Sequence, residues 1–215
     1  MFKALLAVQW KWTKGAALLA TILAFAIPLA SIQFTDSDRL QAAPMVVRMQ
    51  SFGVAYAILA AGVGLAFALF AWGSDHRGRH VYALSLPVDR SRYAAMRFGA
   101  GILFLALPAL GVLAGSLVAM SIATIPAGLH AYPVSLTLRF LLASAVAFSI
   151  FFAIAASTPK AAGMTLGLLA SLFVAAFLLS AASIEFNLLG HVADFVFSGL
   201  GPLSVFTGRW MLIDA

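Results

Sequence analysis

His76 and His80 stand four residues apart, the spacing that puts two imidazoles on one helix face within reach of one metal ion. Asp75 is the only carboxylate close to them and the chain has no cysteine, so the pair reads as solvated histidines rather than a metal site. The stretch that holds them, residues 75–98, is the one long polar island in the chain. It carries five arginines, Arg77, Arg79, Arg90, Arg92 and Arg97, around an apolar kernel, Val81-Tyr82-Ala83-Leu84-Ser85-Leu86-Pro87-Val88. That combination offers recognition rather than bond-making. The arginines suit anionic headgroups, and a short apolar helix bounded by Pro87 suits a groove on another protein. A loop that only had to stay hydrated would not need the kernel. Tyr82, Leu84 and Leu86 are therefore the expected docking surface, with Arg77 and Arg90 against the partner or lipid.

Elsewhere the chemistry is sparse. No Asp, Glu, Lys, Arg or His occurs in residues 51–74, 98–129, 140–159 or 161–184. Ion-coupled carriers need ionisable groups at membrane depth, and intramembrane proteases and zinc enzymes need paired acids, bases or ligands there. The four lysines lie outside any phosphate-binding loop pattern. We expect no catalytic residue, no cofactor and no metal in this chain, and no enzymatic activity of its own. Uphill transport would require a separate nucleotide-binding polypeptide.

The elements that must position the island follow from composition. The chain has 215 residues, 63% hydrophobic and 9% charged, against roughly 25% charged in a soluble domain. That excess of apolar surface calls for lipid as the solvent. The apolar runs last about 20 residues without the alternation of a barrel, which predicts an all-α integral membrane bundle. Residues 1–14 read as an amphipathic interface helix, with Phe2, Leu5, Leu6 and Trp10 toward lipid and Lys3, Lys11 and Lys14 among headgroups. Five spans are expected at 15–32, 51–73, 98–120, 136–157 and 161–183, with kinks at Pro28 and Pro108. Residues 74–97 form the loop between the second and third. The tail, 185–213, reads either as short helices in the outer leaflet or as a sixth span over 195–213.

Orientation follows from the cations. With the N-terminus inside, Lys3, Lys11, Lys14, Arg77, Arg79, Arg90, Arg92, Arg97 and Lys160 are inner, against Arg39, Arg48, Arg139 and Arg209 outside. This predicts a cytoplasmic N-terminus and polar island in a multi-pass protein of the cell (inner or plasma) membrane. Because the cations sit at the ends of apolar runs, the net charge of +6 does not point to nucleic acid. Gly111 with Gly115, and Gly163 with Gly167, have the small-x-x-x-small spacing that permits close helix approach. Phe148, Phe151, Phe152, Phe173 and Phe177 read as bundle packing or lipid-facing residues rather than a cavity lining. Glu185, His191 and Asp194 read as interface residues.

One pattern within the island is specific. Asp75, then Arg77-Gly78, then a hydrophobic stretch ending Leu84-Ser85-Leu86-Pro87-Val88, then Arg90, Tyr93 and Arg97, resembles the loop between the second and third spans of type-2 ABC transporter permeases. The resemblance implies a coupling helix whose docking residues fall among Asp75, Arg77, Gly78, Val81, Tyr82, Leu84, Leu86, Pro87, Arg90 and Tyr93. It also implies a permease subunit of an ATP-driven exporter, paired with a like or unlike second permease subunit. A cytoplasmic ATP-binding subunit would bind ATP and magnesium. Such permeases have six spans and end in the cytoplasm, whereas this tail stops where a sixth span would begin. A non-transporting membrane scaffold or sensor subunit is the alternative reading.

Overall fold

The structure, a computed structural model, describes residues 2–33, 42–77, 89–123, 125, 128–157, 159–181 and 188–214. Helix dominates among them: α1 (Phe2–Gln33), α2 (Ala42–Arg77), α3 (Arg90–Ile122), α4 (Pro133–Ala156), α5 (Pro159–Ala181) and α6 (Leu188–Phe197). Two short strands, β1 (His130–Ala131) and β2 (Ile213–Asp214), pair antiparallel. Four helical segments are long and apolar enough to cross a bilayer: Phe2–Ile32, Phe52–Gly73, Arg90–Ile122 and Pro133–Ala156. The 23 residues of α5 reach about 35 Å. The chain forms two compact units, Met1–Phe152 with Arg209–Ala215, and Ala153–Gly208.

In the first unit the most extensive helix pair is α1 with α3. Trp10 meets Phe104, Gly111 meets Thr21 and Gly115 meets Phe25, so the two helices run in the same direction. Lipid gives helices no hydrophobic reason to associate, and close van der Waals packing has to do it. Glycine makes that packing possible here. A Cβ on Gly111 would lie 2.7 Å from the Thr21 carbonyl oxygen, and one on Gly115 would overlap the Phe25 carbonyl. The face of α1 that packs is small and polar: Gln9, Thr13, Ala17, Ala20 and Ala24 are all buried. Gly64 of α2 fits against Ala147 and Phe148 of α4, and Trp72 of α2 meets Phe152, so α2 and α4 are also parallel. One end of this unit therefore gathers the start of α1, the end of α2 and the start of α3.

Several boundaries differ from expectation. The interface helix and first span form a single helix of 32 residues, about 48 Å long. The buried stripe runs across residues 14 and 15 without interruption, so nothing there favours a break. It also takes Leu5 inside, leaving Phe2 and Trp10 exposed and Leu6 half-buried. α3 begins at Arg90, eight residues before the expected start of its apolar run, and α2 continues to Arg77. Pro28 and Pro108 both lie buried inside continuous helices.

The tail does not form a sixth span over 195–213. α6 stops at Phe197, and a 3-10 turn, Ser204–Phe206, follows. Gly199, Gly201 and Pro202 lie between them, where helix is least favoured. Residues 209–214 then belong to the first unit as a strap. Its strand pairs Ile213 with Ala131 and Asp214 with His130, and Tyr132 donates its N–H to the Leu212 carbonyl at 2.8 Å. Trp210, Met211, Leu212 and Ile213 are all buried. Trp210 lies parallel to Tyr56 with ring centres 6.5 Å apart, and Gly53 leaves room for its backbone. Sequence reading missed the strap because these partners lie from 80 to 154 residues away.

Candidate functional site

The polar island is held at both ends by one buried cluster. Asp75, in the last turn of α2, and Tyr93 and Arg97, in the first turns of α3, are 3–4% exposed. The Arg97 guanidinium meets the Asp75 carboxylate at 2.7 Å. Its Nε and one terminal nitrogen donate to the Tyr93 hydroxyl at 2.9 and 2.7 Å. Tyr93 in turn donates to the other Asp75 oxygen at 2.9 Å. The remaining terminal nitrogen donates to the Ala71 carbonyl, one turn back along α2. Each charge or hydroxyl thus meets a partner, the condition under which a buried ion pair is tolerated.

Local sequence explains the geometry. Tyr93 and Arg97 are four apart on α3, so their side chains share a face. Ala71 and Asp75 stand four apart on α2 and share one as well. Aromatic rings complete the enclosure. Trp72 lies 5.9 Å from the guanidinium carbon and 6.5 Å, edge-on, from Tyr93. Arg97 also stands 5.2 Å from the Tyr93 ring centre. Beyond Trp72, Phe98, Phe148 and Phe152 contact one another with ring centres 5.3–5.4 Å apart. Phe148 and Phe152 are therefore packing residues, joined to the cluster by the Trp72–Phe152 contact at 5.3 Å.

Chemically, the cluster is a clamp. The Asp75 carboxylate and the Arg97 guanidinium are committed to each other and to the Tyr93 hydroxyl between them. The clamp fixes the end of α2 against the start of α3, the two helices from which residues 78–88 emerge. Through α3 it reaches α1, and through Trp72 and Phe152 it reaches α4.

The expected site residues fall unevenly on this arrangement. Asp75 and Tyr93 come together, and Arg97, read from sequence only as a basic residue opening a span, is their centre. Arg90 and Arg92 are exposed at the start of α3. Gly78, Val81, Tyr82, Leu84, Leu86 and Pro87 lie outside the described residues, as do His80 and Glu185 and the side chains of His76, Arg77, Phe173 and Phe177. No cluster of three metal-binding side chains occurs among the described residues. Gly111 and Gly115 lie against α1, whereas a Cβ on Gly163 or Gly167 would meet nothing within 4 Å. His191 and Asp194 are exposed on α6. The signal that could have found the clamp is the acid before the kernel set against a Tyr-x-x-x-Arg after it. Comparison with family models, curated proteins and solved structures gives no match.

Proposed function

We propose that this chain is an integral membrane permease subunit of an ATP-driven ABC exporter of the type-2 class, with α5 as a fifth crossing. In this reading residues 78–88 dock on a cytoplasmic ATP-binding subunit, which hydrolyses ATP with its own magnesium. A second permease subunit completes the path. The basic end of the bundle, which holds Lys3, Lys11, Lys14, Arg90 and Arg92 among its exposed residues, faces the cytoplasm of the cell membrane.

The observation that carries the proposal is the Asp75–Tyr93–Arg97 clamp. A hydrated connecting loop needs no buried ion pair at its base. A loop that receives force does, because slack at its ends would absorb the motion. ATP-driven closure of the partner would press on the kernel. The clamp would deliver the displacement to the ends of α2 and α3 together, and the packed α1–α3 pair would carry it along about 50 Å of helix.

The test is a loop variant, Tyr82→Ala with Leu84→Asp, which removes the apolar docking face and leaves the clamp intact. Loss of partner binding and of partner ATPase stimulation, in a chain that still folds, is the expected result. Retention of both would eliminate the docking assignment.

A further inference from the structure

Three exposed lysines, Lys3, Lys11 and Lys14, stand on α1 at the end of the first unit that holds the clamp. A helix lying flat in the interface would keep all three at one depth. In the continuous α1 they climb about 16 Å along the axis. The uncharged stretch beyond Lys14, residues 15–32, is about 27 Å long and fills the hydrocarbon by itself. The headgroup layer adds only about 5–7 Å on each side. Lys14, and Lys11 about 4.5 Å farther out, therefore stand among headgroups, and Lys3 stands clear of them. The packed face of α1 changes at the same level. It is polar outside, at Gln9 and Thr13, and turns to Ala17, Ala20 and Ala24 within.

Lys11 and Lys14 are three residues apart, so their ammonium groups share a face and repel each other. Neither has an acidic partner among the described residues. Gly15 leaves the backbone bare beside both, and a Cβ there would meet nothing within 4 Å. Leu18, Ile22 and Phe25 continue the same face, all five side chains falling within about 80° around the helix. These three are 36–63% exposed. The face thus offers two cations at headgroup depth, a notch, and an apolar strip reaching about 16 Å into the hydrocarbon. An acidic peptide would match the cations but not a strip at membrane depth.

We propose that this face of α1 binds one anionic phospholipid from the leaflet at the clamp end. The phosphate lies between Lys11 and Lys14, the glycerol ester lies over Gly15, and one acyl chain lies along Leu18, Ile22 and Phe25. The inference rests on the chain crossing a bilayer, and not on coupling to an ATP-binding subunit. Phe104 of α3 meets Trp10 beside this site, and Arg97 lies seven residues farther out, about 10 Å. A lipid held here therefore fixes the clamp beyond the hydrocarbon.

The test uses the full chain in vesicles of phosphatidylcholine mixed with brominated phosphatidylglycerol or brominated phosphatidylcholine. Trp10 shares a face with Lys14, and Trp12 lies about 160° away around the helix at nearly the same depth. Both are exposed, so Trp12→Phe leaves a reporter in the site and Trp10→Phe leaves a control outside it. Buried Trp72 and Trp210 add the same background to each. At Trp10 the anionic lipid should be preferred about 25-fold, about fivefold for each lysine near the surface. At Trp12 the ratio should be near one. Lys11→Gln and Lys14→Gln should each lower the ratio at Trp10 about fivefold, and together bring it to one. Gly15→Leu should lower it with both lysines in place, and Lys3→Gln should leave it unchanged. Excess inorganic phosphate should not compete. A ratio of one at Trp10 in the presence of both lysines overturns the site. So does a ratio that survives the double substitution, appears equally at Trp12, falls as far with Lys3→Gln as with Lys14→Gln, or is abolished by free phosphate. Absence of quenching by either lipid would instead sink the membrane reading itself.

Discussion

Arg97 offers the sharpest test of the clamp, because its removal and its paired removal have different consequences. Arg97→Met leaves the Asp75 carboxylate, 3% exposed, facing an aliphatic side chain. Asp75→Leu strands the guanidinium in the same way. Breaking a buried pair from one side costs about 3–5 kcal/mol, because a desolvated charge is left uncompensated. Replacing both partners with apolar groups of similar volume removes that penalty. What remains is the Tyr93 hydroxyl, which loses both its acceptor and its donors, at about 1–3 kcal/mol. Independent effects would sum to roughly 6–10 kcal/mol in the double variant. The clamp geometry instead expects the double variant to be no less stable than either single one. The assay is denaturing-detergent titration in mixed micelles, followed by tryptophan fluorescence, since buried Trp72 borders the cluster. Additive losses would refute the reasoning, as would single-variant losses below about 1 kcal/mol, the size of an exposed pair.

Three further outcomes follow from the packing. Gly115→Val should separate α1 from α3 and lower stability by roughly 1–3 kcal/mol as an overpacked contact, whereas Gly163→Ala, with open space around its Cβ position, should be neutral or raise stability by up to about 1 kcal/mol through helix propensity. Thermal unfolding of the two variants side by side separates them. Trp210→Ala should cost about 3–5 kcal/mol and release the strap, read as faster proteolysis after residue 208 with the helical circular dichroism unchanged. Phe148→Ala should destabilise the first unit by a similar amount, about 3–5 kcal/mol, because its ring is fully buried against Phe98, Phe152 and Gly101.

The four long apolar helices were legible in the sequence because each contains an uncharged run of about the length that spans hydrocarbon. Their ends were not. Hydropathy stops α3 at Phe98, since an arginine at position 97 reads as solvated. In the fold Arg97 is buried, because Asp75 neutralises it from another helix, and α3 extends to Arg90. The single helix α1 was read as two because Lys11, Lys14 and Gly15 suggest a boundary. The buried stripe from Gln9 to Ala24 crosses that point on the opposite face. The tail was ambiguous for a third reason. Its apolar residues 210–213 look like part of a span, but they are buried by Tyr56, Arg139 and the strand at His130–Ala131, contacts distant in sequence. Of the site, the acidic and aromatic members were marked from sequence, and their convergence on one guanidinium required the fold.

The central claim is that the clamped loop serves a nucleotide-hydrolysing partner. Purification of the chain from its native membrane in mild detergent, with identification of whatever accompanies it, tests this most directly. The account predicts a stoichiometric subunit with a phosphate-binding loop, lost when Tyr82→Ala and Leu84→Asp are introduced together. A chain that emerges alone, or with partners lacking any nucleotide site, would contradict it.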